Sequence, residues 1–200
     1  MPTDENFPAD FSKCVEFHGH VCPGLSIGFR AARAGMDWLK ENRAEDDELV
    51  AVVENNACGA DAIQVLTGCT FGKGNFFFQD HGKHVFILAG RKSGRAVRVA
   101  LKAGAMELGE RHRDLMGKIR RGEASAEEKK EFQEFHLQKS REILEMRLDR
   151  LFKIEALRCP LPPKAQIEPS QVCDRCGEPT MGSKLSNLQG ARVCLDCLNS

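Results

Sequence analysis

A chain of 200 residues with 42% hydrophobic side chains is long enough for one substantial domain and a small appendage. Its 29 basic and 29 acidic residues cancel, which excludes a global pull toward nucleic acid or anionic membrane and leaves such contacts to local patches. No apolar run approaches the ~20 residues that span a bilayer, so no membrane partner is expected. The opening stretch MPTDENFPADFSKC lacks a charged-then-apolar leader, and a cytoplasmic protein is expected. In that reducing compartment nine cysteines point to metal ligation or thiol chemistry instead of a disulfide framework.

Residues 1–10 read as a loose lead-in, followed by a short helix from Phe11 to Glu16 that carries Cys14, a cysteine with no partner at metal spacing. The next stretch, FHGHVCPGLSIGF (17–29), sets His18, His20 and Cys22 at every second position. In an extended backbone these side chains share one side and can converge on one ion. Pro23 drives Cys22 out of the α region and suits the first position of a helix. Leu25, Phe29, Ala32, Met36 and Leu39 recur at helical spacing, so a helix is expected to end near Asn42. Cys22 then caps the positive end of a helix dipole, where a thiolate is favoured, and is a candidate nucleophile as well as a ligand. A lone His or Cys is more often a packed residue; the triplet with its Pro-Gly stop tips the reading toward a metal or reactive-thiol site.

After a charged, turn-like cluster from Glu41 to Glu48, Leu49–Val53 has the β-branched density of a buried strand. The turn Asn55–Gly59 leads into a helical run from Asp61 to Thr67, with Gly68 at its C′ position. Cys58 thus stands at a strand-to-helix junction, as Cys22 stands at a helix start, and the two can face each other across a cleft. Cys69 is a third candidate. The glycines around Lys73 fail the strict phosphate-loop pattern: the span is one residue short, and Gly74 replaces the magnesium-binding hydroxyl. A weaker anion nest with Lys73 is the form that remains. Cys69 and Lys73 are therefore the cofactor-binding candidates.

Phe76–Gln79, His84–Ala89 and Arg95–Leu101, separated by turn-rich segments, read as an antiparallel meander, with His81 and His84 as turn and edge residues. Ala103–Arg121 looks helical up to Gly122. A longer helix opens on the capping box Ser125-Ala126-Glu127-Glu128 and runs to about Phe152. Its apolar stripe, including Phe132, Phe135, Ile143 and Leu144, either closes the core or packs against a second copy of the chain. The chain then divides into a core over 1–158, a stiff Pro-rich linker over 159–171 beginning at Cys159, and a terminal module over 172–200.

In that module Cys173-x-x-Cys176 and Cys194-x-x-Cys197, 17 residues apart, have four-thiolate zinc spacing. Gly177 permits the tight knuckle, and Ser183–Leu185 with Gly190–Val193 are expected to form a hairpin. Roughly 25 residues cannot bury a stable core, so the zinc is structural and supplies the folding energy.

Phe17-His18-Gly19-His20-x-Cys22-Pro23-Gly24, Gly28-x-Arg30-Ala31-Ala32, Ala57-Cys58-x-x-Asp61-Ala62-Ile63-Gln64 and Thr67-Gly68-Cys69-Thr70-x-Gly72-Lys73-Gly74-Asn75 together resemble the FmdE family, named for its link to formylmethanofuran dehydrogenase. The resemblance spans roughly residues 10–105. It implies an α+β fold, a core of antiparallel sheet with packed helices, followed by a treble-clef-like zinc finger. It also implies an intertwined homodimer and a cleft where the His and Cys of these motifs gather; from the two ligand-bearing junctions, a second metal ion held by His18, His20, Cys22 and Cys58 is expected there, with Cys69 and Lys73 lining the cleft. Three functions follow as expectations. The first is a metal-binding accessory protein of a molybdenum or tungsten oxidoreductase of one-carbon metabolism. The second is a metal- or thiol-dependent enzyme with Asp61 as the available base. The third is a metal-sensing regulator acting through its finger. For the last, Arg175, Lys184 and Arg192 give only a slight basic bias, so protein contact is favoured over nucleic acid.

Overall fold

The computed structural model describes residues 7–158 and 160–200; Cys159, the first residue of the predicted linker, and residues 1–6 of the lead-in lie outside the described residues. The chain divides into two compact units, Met1–Lys164 and Ala165–Ser200.

In the first unit, helix α1 spans Ala9–His18 and buries Phe11 and Cys14. It is longer than predicted, and this corrects the extended reading of the triplet: His18 is the last helical residue. The chain then turns at Gly19 in the left-handed region (φ 95°), its N–H bonding the Val15 carbonyl at 2.7 Å. Cys22 does have extended backbone, as the cap of α2 (Pro23–Leu39) with Pro23 at its first turn. This helix closes at Lys40 (φ 55°), two residues short of Asn42.

Strand β1 (Leu49–Val53) is buried throughout, and α3 (Gly59–Thr67) ends at Gly68 (φ 72°). Next come β2 (Phe76–Phe78), β3 (Val85–Gly90) and β4 (Ala96–Leu101). The sheet order is β2-β1-β3-β4, closed on its far side by a fifth strand, β5 (Phe152–Leu157). The predicted meander is corrected on one point: β1 lies between β2 and β3, pairing parallel with β2 (Ala51 opposite Phe76) and antiparallel with β3 (Ala51 opposite Leu88).

Between β4 and β5, α4 (Glu110–Arg121) is shorter than expected, because Gly104 (φ 79°) and Gly109 keep the preceding segment in turns. Helix α5 (Ala126–Glu145) starts on the predicted capping box but stops well before Phe152; the short helix α6 (Leu148–Leu151) and β5 follow. The stop is tertiary in origin. Arg30 of α2 donates to the carbonyls of Ile143 (2.8 Å), Leu144 and Met146 (2.7 Å), taking acceptors that further helix would have used. Beyond it, FKIEAL alternates Phe152 and Ile154 inward with Lys153 and Glu155 outward, and pairs with β4.

The main core joins Ile27, Ala31 and Leu39 of α2 and Ile63 of α3 to Phe86, Leu88, Val97 and Val99 of the sheet. A smaller cluster joins Phe11, Cys14, Cys22, Leu25, Phe29 and Ala62, with Cys58 against its edge. Helices α2 and α3 meet backbone to backbone: a Cβ on Gly28 would lie 2.2 Å from the Gly59 carbonyl oxygen. Only glycine allows so close an approach.

In the second unit, β6 (Ser170–Val172) pairs with β7 (Pro179–Met181), and a 3₁₀ turn over Gly182–Lys184 leads to β8 (Ser186–Leu188) and β9 (Ala191–Val193). The β8–β9 hairpin starts three residues later than predicted, because Gln189 (φ 54°) and Gly190 (φ 92°) supply the two left-handed residues of its tight turn. Helix α7 (Leu195–Asn199) closes the unit. No helix of the described residues is long and apolar enough to cross a membrane.

Candidate metal centre

Ligand atoms of His18, His20 and Cys22 all lie within 4.8 Å of one another. The residues come from one bend. His18 ends α1, Gly19 reverses the chain, and Cys22 caps α2 with its sulfur accepting the Leu25 N–H at 3.4 Å. His18 Nε2 stands 3.8 Å from Cys22 Sγ, while its Nδ1 stands 2.7 Å from Asp61 Oδ2. Asp61 sits in the first turn of α3, three residues after Cys58. Its carboxylate fixes the imidazole's tautomer and orientation, the support that metal-bound histidines commonly receive. Sequence alone marks Asp61 only as a base; its place in the Cys58-x-x-Asp61 spacing is the available clue to the orienting role.

Cys58 comes to the same place from the α3 side. It lies against Gly24, where an added Cβ would be 3.2 Å from its own Cβ, and its thiol and that of Cys22 shift each other's acidity. The expected meeting of the two junctions therefore exists. The expected acidity does not. Cys58 is the acidic thiol, brought down to about 5 chiefly by the pairing with Cys22 and further by His18, against the opposing effect of burial. Cys22 is driven upward by the same pairing and by burial, which outweigh the Leu25 amide at the helix start. Cys22 is 4% exposed, whereas His20 is open to solvent.

The other two candidates stand apart from this cluster. Cys69 is wholly buried in the main core, and burial raises its thiol to about 11. Lys73 donates to the carbonyls of Gly68 (3.0 Å) and Ala44 (3.3 Å), so its charge closes the end of α3 and does not form an anion nest. Buried Asn75 ties the same loop to Thr70, Asp46 and Leu49.

Two further histidines, which spacing could not have connected to the cluster, are within its electrostatic reach. His84 is held by Asn55 at 3.2 Å; burial lowers its pKa, and the charge of Cys58 works against that. His136 of α5 is brought down to about 4 by burial and by the charges of His112 and His20.

In the second unit, the sulfurs of Cys173, Cys176, Cys194 and Cys197 lie within 4.8 Å of one another. Cys194 N–H donates to Cys173 Sγ at 3.3 Å, and Gly177 (φ 77°) turns the first knuckle. Backbone amides of Cys176 and Cys194 bring Cys173 to about 6. A closed set of four sulfurs with amide support fits structural zinc, leaving no open position for substrate.

A mixed α+β domain carrying a His–Cys cluster, with a four-cysteine zinc finger appended, defines a metal-binding protein. Residues 17–153 match the family described as "FmdE, Molybdenum formylmethanofuran dehydrogenase operon", and the chain belongs to that family. Residues 167–200 match the prokaryotic dksA/traR C4-type zinc finger. A probable S-adenosyl-L-methionine-binding protein of Archaeoglobus fulgidus is 31% identical over 195 residues, covering 94% of this chain and 52% of the relative. The chain thus spans about half the length of that relative. The crystal structure of a tungsten formylmethanofuran dehydrogenase FmdE-like protein from Syntrophus aciditrophicus shares the fold, with a TM-score of 0.61 at 23% identity over 94% of this chain and 89% of that one.

Proposed function

We propose that the core cluster binds a thiophilic divalent ion through His18, His20 and Cys22, with Cys58 within reach as a fourth donor. In this reading the protein serves, as a homodimer, as a metal-binding accessory component of a molybdenum or tungsten oxidoreductase of one-carbon chemistry. The observation that carries the metal reading is the chain of contacts Asp61–His18–Cys22, in which a carboxylate orients an imidazole whose other nitrogen faces a thiol. The link to the oxidoreductase rests on the family's description. Cys173→Ser/Cys176→Ser protein, with its finger site removed, is expected to retain one ion per chain by elemental analysis. A metal-free result would end the proposal.

A second reading, a thiol-dependent enzyme, is favoured by the acidity of Cys58 beside a protonated Cys22. It moves the nucleophile from Cys22 to Cys58. Inert thiols at neutral pH would remove it.

A further inference from the structure

Helices α4 and α5 bring a second pair of imidazoles together outside the ligand set just described. His112, in the first turn of α4 and 4% exposed, places Nε2 at 2.6 Å from Nδ1 of His136 in the middle of α5. Both rings are held from the side. Phe135 stacks on His112 at 5.6 Å, and Phe132 lies 5.4 Å from His112 and 4.0 Å from His136 between ring centroids. Among the described residues, neither His112 Nδ1 nor His136 Nε2 has a hydrogen-bond partner, so the pair meets only through its facing nitrogens. One ring is buried and the other half-buried, and among the described residues no carboxylate bonds either of them, so two imidazoles face each other with their outer nitrogens unclaimed. His136 is within electrostatic reach of His20.

We propose that His112 and His136 form a second, all-imidazole site for a borderline-soft divalent transition ion. Two imidazoles bound to one ion through metal–nitrogen bonds of about 2.0–2.1 Å need their nitrogens a little over 3 Å apart. A small opening of the facing rings, on two separate helices, provides that spacing. Neutral rings offer the lone pairs, and imidazole ligands suit zinc, nickel or copper more than calcium or magnesium. Water completes the coordination, so this site is weaker and more exchangeable than the sulfur-rich one. Its existence does not depend on the ligand set proposed for the core.

The test uses the full chain with its finger zinc in place. Nickel(II) is titrated into protein labelled with ¹⁵N-histidine, ring signals are followed, and retained nickel is counted after dialysis. The expected result is paramagnetic broadening of the His112 and His136 rings and one equivalent that the His112→Asn/His136→Gln protein lacks. His18→Gln/Cys22→Ser protein keeps that equivalent, so failure of the core reading and failure of this one give different counts. Sharp, unshifted His112 and His136 signals in the unmutated chain would show a plain hydrogen-bonded pair and overturn the proposal, whether or not the variants fold. An unchanged nickel count in the double variant would overturn it as well.

Discussion

Asp61 Oδ2 lies 2.7 Å from His18 Nδ1, joining the first turn of α3 to the last residue of α1 across 43 positions of sequence. The bond leaves His18 Nε2 as the free nitrogen facing Cys22. Asp61→Asn keeps the shape and removes the charge. It is expected to weaken metal binding at the core roughly 10–100-fold, measured by competition with a chromophoric chelator, while the finger retains its zinc.

Cys58 is half-buried and acidic, whereas Cys22 is buried and protonated. In metal-free protein at pH 7, iodoacetamide is expected to modify Cys58 at least about tenfold faster than Cys22, since the thiolate is the attacking form. Peptide mapping by mass spectrometry reads the ratio directly, and preferential labelling of Cys22 would reverse the assignment.

Gly28 allows α2 to touch the backbone of α3 at Gly59. An alanine there meets a carbonyl that cannot move aside as a flexible side chain would. Gly28→Ala is expected to cost about 3 kcal/mol, the upper part of the range for overpacking. It should also spread Cys22 from Cys58. Urea denaturation gives the first effect, and loss of the rate contrast between the two thiols gives the second.

Burial raises Cys69 from 9.0 to about 11. Between those values the unfolded chain loses this proton and the folded chain keeps it, so stability is full below pH 9 and falls as pH rises toward 11. The loss approaches about 2–3 kcal/mol from this thiol alone. Urea midpoints at pH 8 and pH 11 should fall less steeply for Cys69→Ala than for the unmutated chain.

The second unit buries only a small cluster around Cys173, Val193, Cys194 and Cys197, so its zinc supplies the folding energy. A strong chelator is expected to collapse the amide dispersion of residues 170–199 in NMR spectra while amides of β1, β3 and β4 stay protected. Persistence of the β8–β9 hairpin signals without zinc would contradict this.

What could be read from sequence was local or covalent in spacing. Pro23 behind Cys22, the capping box at Ser125 and the paired Cys-x-x-Cys motifs each carry their physics within a few residues, and each marks the element it should. The end of α5 did not, since the charged helical pattern runs on without Pro or Gly and the stop is imposed by Arg30 from more than 100 positions away. The insertion of β1 between β2 and β3 is likewise invisible to local alternation. At the site, the closeness of His18, His20 and Cys22 was legible, although it comes from a helix end and a bend and not from the extended run expected. The pairing of His136 with His112 and the inward burial of Cys69 depend on packing that no spacing rule encodes.

The bend at Gly19 gives the cluster a front and a back. Phe11, Leu25 and Phe29 wall off the sulfur side, and His20 faces water. The open side of the proposed site is therefore the one that His20 and the half-buried Cys58 border, while Cys22 stays behind the apolar wall. A glycine whose turn, not its size, aims His20 outward would then govern how quickly the centre fills and empties.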